Sequence, residues 1–268
     1  MLLEDILDSL PPLNTMVSSL LTELDSDDCS AENVEKLILQ DPVLSARTLH
    51  MANSSFYGFS RNIVTLKQAY IILGRNTLRN LVCTISLLDQ FNQTNAKNDF
   101  LNDVWMHSLY SACLISTLDE DKFEVESLFL VALFQYIGLV ALGLYEPKLQ
   151  VTLSQKGLLN KTLMDQEVTN IAGVPVSQLS KDILEHWKFP KNICEQVGSL
   201  NSYSSSNSPV QVCSVIVSAF GYRPANWIIE EAINDTDFQK VFCNNKELKK
   251  SIKQSDDMFL SILSLIYS

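Results

Sequence analysis

Residues 41–58 read D-P-V-L-S-A-R-T-L-H-M-A-N-S-S-F-Y-G, and this stretch decides the fold class. Asp41 followed by Pro42 is a helix start: the carboxylate can accept the first free amide hydrogens, and proline at the first helical position gives up an N–H that has no intrahelical partner. Val43, Leu44, Leu49 and Met51 then predict a helix with an apolar side. Asn53, Ser54 and Ser55 compete for backbone hydrogen bonds, so they suit a helix end that bends into a tight turn and fails near Tyr57-Gly58. Phe56 and Tyr57 beside Gly58 leave two readings open: a capped corner whose aromatics pack on the core, or a recognition loop.

The same punctuation recurs on both sides, and strand signals are sparse, which predicts an all-α chain. Leu13, Met16, Val17, Leu20, Leu21 and Leu24 are spaced three and four apart, as one helix face requires. Ser30 caps a helix over 31–39 with Glu32 in its first turn, and Thr65 caps a short one with Leu66, Ala69, Ile72 and Leu73 inward and Gly74 at its end. Leu78 to Leu88 continues as a buried helix. The polar run 92–99 marks a joint, so residues 1–91 are expected to form an N-terminal helical bundle. Residues 99–220 form a second helical part, with helices near 101–118, 124–145, 162–171, 176–187 and 190–197. Gly138 and Gly143 are expected to break the second of these. Residues 221–268 form a C-terminal helical extension packed on that part, closing on 258–267. No repeat of fixed period is present.

The chain has 268 residues, 46% hydrophobic and 19% charged, enough apolar content for a substantial core. Asp and Glu number 31 against 20 Lys and Arg, a net charge of −11 that argues against a phosphate-backbone binder. The one basic cluster, Lys246, Lys249, Lys250 and Lys253, reads better as a solvated helix face than as a nucleic-acid surface. The N-terminus does not resemble a secretory signal, and the apolar runs 128–134 and 137–144 are each too short to cross a bilayer, so a cytoplasmic, membrane-free protein is expected. Six scattered cysteines without a C-x-x-C pair fit reduced, buried thiols.

Chemistry-bearing motifs are few. There is no glycine-rich phosphate loop and no G-x-S-x-G elbow. The three histidines, His50, His107 and His186, are not joined by an H-x-x-x-H or His-Asp pair, and each alone suits a packed or half-exposed histidine better than a metal ligand.

Several pieces, in order, resemble the HDOD domain, the HD-related output domain of bacteria. They are Leu10-Pro11-Pro12-Leu13, Asp41 to Arg47, Ala52 to Gly58, Ile63 to Ala69, Ile72-Leu73-Gly74 and Leu78-Arg79-Asn80-Leu81-Val82. Trp105-Met106-His107-Ser108 is similar to the family's Trp-x-His-Ser helix, and Leu184 to Pro190 to its Leu-Leu-x-x-Trp-x-x-Pro segment. The resemblance covers roughly residues 8–220 and weakens beyond Val197. It implies an HD-domain-like helical fold with an added N-terminal bundle. HD enzymes hold metal with a His, a His-Asp pair and a later Asp, and the metal activates water against a phosphoester. On that alignment His107 is a vestige of the first histidine, and Gln135-Tyr136 replace the His-Asp pair. Later ligand positions fall at Val176, Leu200 and Asn201, and the final Asp near Ser218. These groups cannot supply the ligands a divalent ion requires, so no metal, no cofactor and no catalytic residue are expected.

The resemblance therefore implies a non-catalytic signal-transduction module that binds a protein partner in trans, or a small ligand. The competing reading is a metal-dependent phosphohydrolase, as the wider HD superfamily suggests. Candidate contact residues are the signature positions Asn53, Ser54, Phe56, Tyr57, Gly58, Arg79, Asn80 and Trp105. A purely structural role for Asn53 and Trp105 fits the same residues.

Overall fold

A computed structural model of the chain describes residues 3–10, 15–53, 62–93, 99–118, 125–146, 148, 161–200, 208–220 and 245–266. Among these residues there are fourteen helices and no strand. Contacts group the chain into two compact units: one is Pro12–Ala96 with Trp187–Pro190 and Asp257–Ser268, the other Met1–Pro11 with Lys97–His186 and Lys191–Asp256.

The unit around Pro12–Ala96 holds α2 (Thr15–Asp25), α3 (Ala31–Ile38), α4 (Pro42–Ala52), α5 (Leu66–Leu73) and α6 (Arg75–Gln93). Its helix starts follow cap chemistry. Ser30 Oγ accepts from the Asn33 amide, Asp41 accepts from Val43 and Leu44, and Thr65 accepts from Gln68. Gly74, at φ +81°, takes the left-handed conformation that ends α5. Leu44, Thr48, Met51 and Ala52 form the buried face of α4, and Leu66 and Ala69 that of α5. Ile72, expected inward, is 46% exposed, and Val43 on α4 is 57% exposed. Successive helix residues are turned by roughly 100°, which carries each of them off the face set by its buried neighbours.

The other unit contains α1 (Leu3–Ser9), α7 (Asp99–Ile115), α8 (Val125–Phe134), α9 (Ile137–Tyr145), α10 (Lys161–Ala172), α11 (Val176–His186), α12 (Lys191–Gly198), α13 (Pro209–Phe220) and the first part of α14 (Asn245–Ile266). α7 is its axis: Val104, Leu109, Tyr110, Ala112, Cys113, Leu114 and Ile115 have no solvent exposure, and α8, α9 and α13 pack around it. A helix apolar on all sides can only be a core helix or a membrane span. Residues Ser127–Tyr145 are long and apolar enough to span a bilayer by composition, yet 78% of the stretch is buried within the protein, and a turn at Gln135-Tyr136 divides it into α8 and α9.

That turn, not Gly138 or Gly143, makes the break; both glycines lie buried inside α9. Tyr136 provides no side-chain cap for α9. Ser180 of α11 supplies it instead: its hydroxyl donates to the Gln135 carbonyl at 3.2 Å and accepts from the Gly138 amide at 3.0 Å. A Cβ at Gly138 would stand 3.1 Å from Leu179 Cγ, Ser180 N and Ser180 Oγ, so a side chain here would have to push α11 back by a few tenths of an ångström.

α14 begins at Asn245, well before the expected 258. Its Ser255 hydroxyl donates to the Cys113 carbonyl of α7 at 3.3 Å, and the Tyr110 hydroxyl donates to Asp256. Burial first, then the neighbouring Asp256 carboxylate, pushes the Tyr110 phenol far up, so it stays a donor across the accessible pH range.

Cys83, Cys113, Cys194 and Cys213 are buried thiols and Cys29 is half-buried. Burial pushes Cys83 up to about 12 and Cys194 up to about 11, and raises Cys113 and Cys213 as well. The thiolate is the reactive form, so brief alkylation of native protein at neutral pH should label Cys29 well ahead of these four, as read by peptide mass mapping. Equal labelling would show that the helices open readily.

Gly138→Ala should lower stability by about 1–2 kcal/mol, measured as a lower urea midpoint: alanine adds about 1 kcal/mol of helix propensity but overpacks a junction fixed by backbone. Ser180→Ala should lower it as well, by removing both hydrogen bonds of the cap.

Candidate functional site

α7, the α8–α9 corner and α13 bring three polar residues together inside the unit that α7 centres. His107 of α7 is 4% exposed, and Ser214 of α13 is fully buried. The His107 Nε2 and Ser214 Oγ lie 3.0 Å apart, and the Tyr136 hydroxyl lies 3.2 Å from the same Ser214 oxygen. The Tyr136 ring also packs edge-on against the imidazole, centroids 5.5 Å apart at 69°. Gln135, 5% exposed, donates its amide to the Ala132 carbonyl at 2.9 Å and so belongs to the end of its own helix.

The structure brings His107 and Tyr136, both picked out by the sequence alignment, next to each other, and adds Ser214, which the alignment does not pick out. The serine that meets the imidazole lies one helical turn before Ser218, whose side chain is outside the described residues. A serine inside the apolar run Val212-Cys213-Ser214-Val215 is a weak signal, because such a hydroxyl can also return its proton to its own helix. Val176 opens α11, its amide donating to the buried Asp165 carboxylate at 3.1 Å. Leu200 follows α12, and Asn201 lies outside the described residues.

A divalent ion at an HD-type position needs several imidazole and carboxylate ligands. Among the described residues, the polar groups that meet at His107 are a serine hydroxyl and a phenol, and the carboxamide of Gln135 turns away to a backbone carbonyl. The residues do not fit a metal. Among the described residues no group of three His, Cys, Asp or Glu could hold one. The remaining histidines, His50 on α4 and His186 at the end of α11, are exposed.

The signature residues of the other unit have jobs within it. Asn53, at the end of α4, pairs with the backbone of Ile63 in both directions: its amide donates to the Ile63 carbonyl at 2.8 Å, and its carbonyl oxygen accepts from the Ile63 amide at 2.7 Å. The same amide donates to Leu49 O at 2.8 Å. Asn53 thus ties the two ends of the 54–62 connection beside the small core of Ala52, Ile63 and Ala69. Arg79, 14% exposed along its side chain, donates to the Leu24 carbonyl at 3.2 Å and to the Asp25 carboxylate, so a cation closes the C-terminus of α2. Asn80 and, in the α7 unit, Trp105 are buried. Ser54, Phe56, Tyr57 and Gly58 lie outside the described residues.

The HDOD domain family model matches residues 10–202. The chain belongs to the HDOD family. Solved structures agree on the HDOD fold. A protein from Shewanella amazonensis described as a "putative phosphohydrolase" is similar over 97% of both chains, with a TM-score of 0.73 and 21% identity. An "HDOD domain protein with unknown function" from Geobacter sulfurreducens is similar over 97% of this chain and 93% of its own, with a TM-score of 0.68 and 20% identity. A "putative signal transduction protein" from Marinobacter aquaeolei covers all of this chain with 62% of its own, at a TM-score of 0.60 and 16% identity. At these identities the likeness establishes an HD-like helical fold and nothing about activity. None of the curated proteins compared matches the sequence.

Asn53→Ala should cost about 1–3 kcal/mol, because it strands the amide and carbonyl of Ile63 beside a buried core. Asn53→Asp, which keeps the acceptor and loses the donor, should fall between. Chemical denaturation checks both; unchanged midpoints would free Asn53 from a structural role and return it to the contact surface.

Proposed function

We propose that this HDOD protein is a non-catalytic regulatory module of bacterial signal transduction, cytoplasmic, acting by binding a partner protein on an HD-like scaffold. The observation that supports the reading is the donor set around His107: the imidazole faces a serine hydroxyl, and Gln135-Tyr136, which the sequence resemblance aligns with the His-Asp pair of HD enzymes, offer a carboxamide turned to a backbone carbonyl and a phenol. Without imidazole and carboxylate ligands there is no Lewis acid to lower the pKa of a water molecule, and metal-activated attack on a phosphoester has no starting point.

The net charge of −11 favours a protein or small-molecule partner over nucleic acid. With Asn53 and Arg79 engaged in their own unit, the partner contact falls to Phe56, Tyr57 and Gly58.

Metal analysis of purified protein should find less than about a tenth of an equivalent of any transition metal. With added Mn²⁺, turnover of phosphomonoesters, nucleotides and cyclic dinucleotides should stay at background. Stoichiometric metal with chelator-sensitive turnover would make the protein a phosphohydrolase. In an affinity capture from bacterial lysate, Tyr57→Ala should lose a specific protein that the unaltered chain retains, with no change in melting temperature; retention would move the contact surface elsewhere.

A further inference from the structure

We infer that the His107–Ser214–Tyr136 cluster is a polar cross-link on whose coupled hydrogen bonds the α7 unit depends: it ties the central helix α7, the α8–α9 corner and α13 at one point. Three elements distant in sequence each place one polar side chain at a single point, with His107 and Ser214 on opposite sides of a 3.0 Å contact and Tyr136 3.2 Å from the same oxygen. Ser214 is the hub. A hydroxyl donates one hydrogen bond and accepts up to two, so it can satisfy an imidazole nitrogen and a phenol together whichever ring nitrogen carries the proton. Tyr136 holds the cluster twice, through its hydroxyl and through its ring edge-on to His107.

The surroundings strengthen the link. Ser214 and the α7 residues Val104 and Leu109 have no solvent exposure, and hydrogen bonds shielded from water are both stronger and more costly to break. The cluster is also continuous with the Ser180 cap, since Tyr136 is the residue between the capped Gln135 carbonyl and Gly138 amide. Rotation of Tyr136 out of the cluster would therefore disturb the α9 start, and loss of the cap would free Tyr136.

The inference goes beyond the regulatory reading and stands apart from it, because a binding module could be held together at this point by apolar packing alone. A double-mutant cycle on the full chain with Ser214→Ala and Tyr136→Phe tests it, read by melting temperature with and without a strong chelator. Each single variant should lower the melting temperature by about 2–4 °C, the scale of one hydrogen bond in a domain of this size. The double variant should fall little further than the worse single one, and the chelator should change nothing. Additive losses, or single variants that melt like the unaltered chain, would overturn the cross-link while leaving the non-catalytic reading intact. A fall in melting temperature on chelation of the unaltered chain would overturn both.

Discussion

One hydroxyl governs the corner on which the α7 unit depends. Where α8 gives way to α9, the Gln135 carbonyl and the Gly138 amide fall outside the helical ladders, and α9 from Ile137 to Gly143 is wholly buried. Water cannot satisfy them there, and each orphaned group would cost about 1–3 kcal/mol. Ser180 serves both from α11, and it reaches them because position 138 has no side chain. The turn then does two things at once. It folds an apolar stretch long enough to span a bilayer into two core helices, and it aims Tyr136 at His107.

What was legible in the sequence was the chemistry that closes locally. Ser30, Asp41, Thr65 and Gly74 act within three or four residues of themselves, so their residue types alone mark helix ends, and the structure puts them where the sequence does. The corner at 135–136 was not legible for the opposite reason: its capping hydroxyl is 42 residues away in the chain. Glycine was misleading as well. Low helix propensity suggests a break at Gly138 and Gly143, but in a buried helix the missing side chain serves close packing, and the helix runs through both. Ser214 was hidden in the same way, 107 residues from the imidazole it meets.

The family signature divides along the same line. Asn53 was readable as a helix-ending residue, and its bonds to Ile63 turn a local signal into a tertiary tie. Arg79 gave no local signal, since its partners on α2 lie 54 and 55 residues away. Both are absorbed by the unit that contains them. Resemblance to a family picks out positions, but only geometry separates those that hold the scaffold from those left over for a partner.

Charge balance bears on how the polar residues around His107 are held inside the α7 unit. A dication at this depth would need anionic ligands to offset its charge, and buried carboxylates without the dication would each face a desolvation cost of several kcal/mol. Gln135, Tyr136 and Ser214 are all polar and, in their ordinary protonation states, uncharged. Such a set can be buried without a counter-ion provided each member is hydrogen-bonded, and Gln135 to Ala132, Tyr136 to Ser214 and Ser214 to His107 meet that condition. His107, Ser214 and Tyr136 thus meet as a hydrogen-bonded group inside the α7 unit.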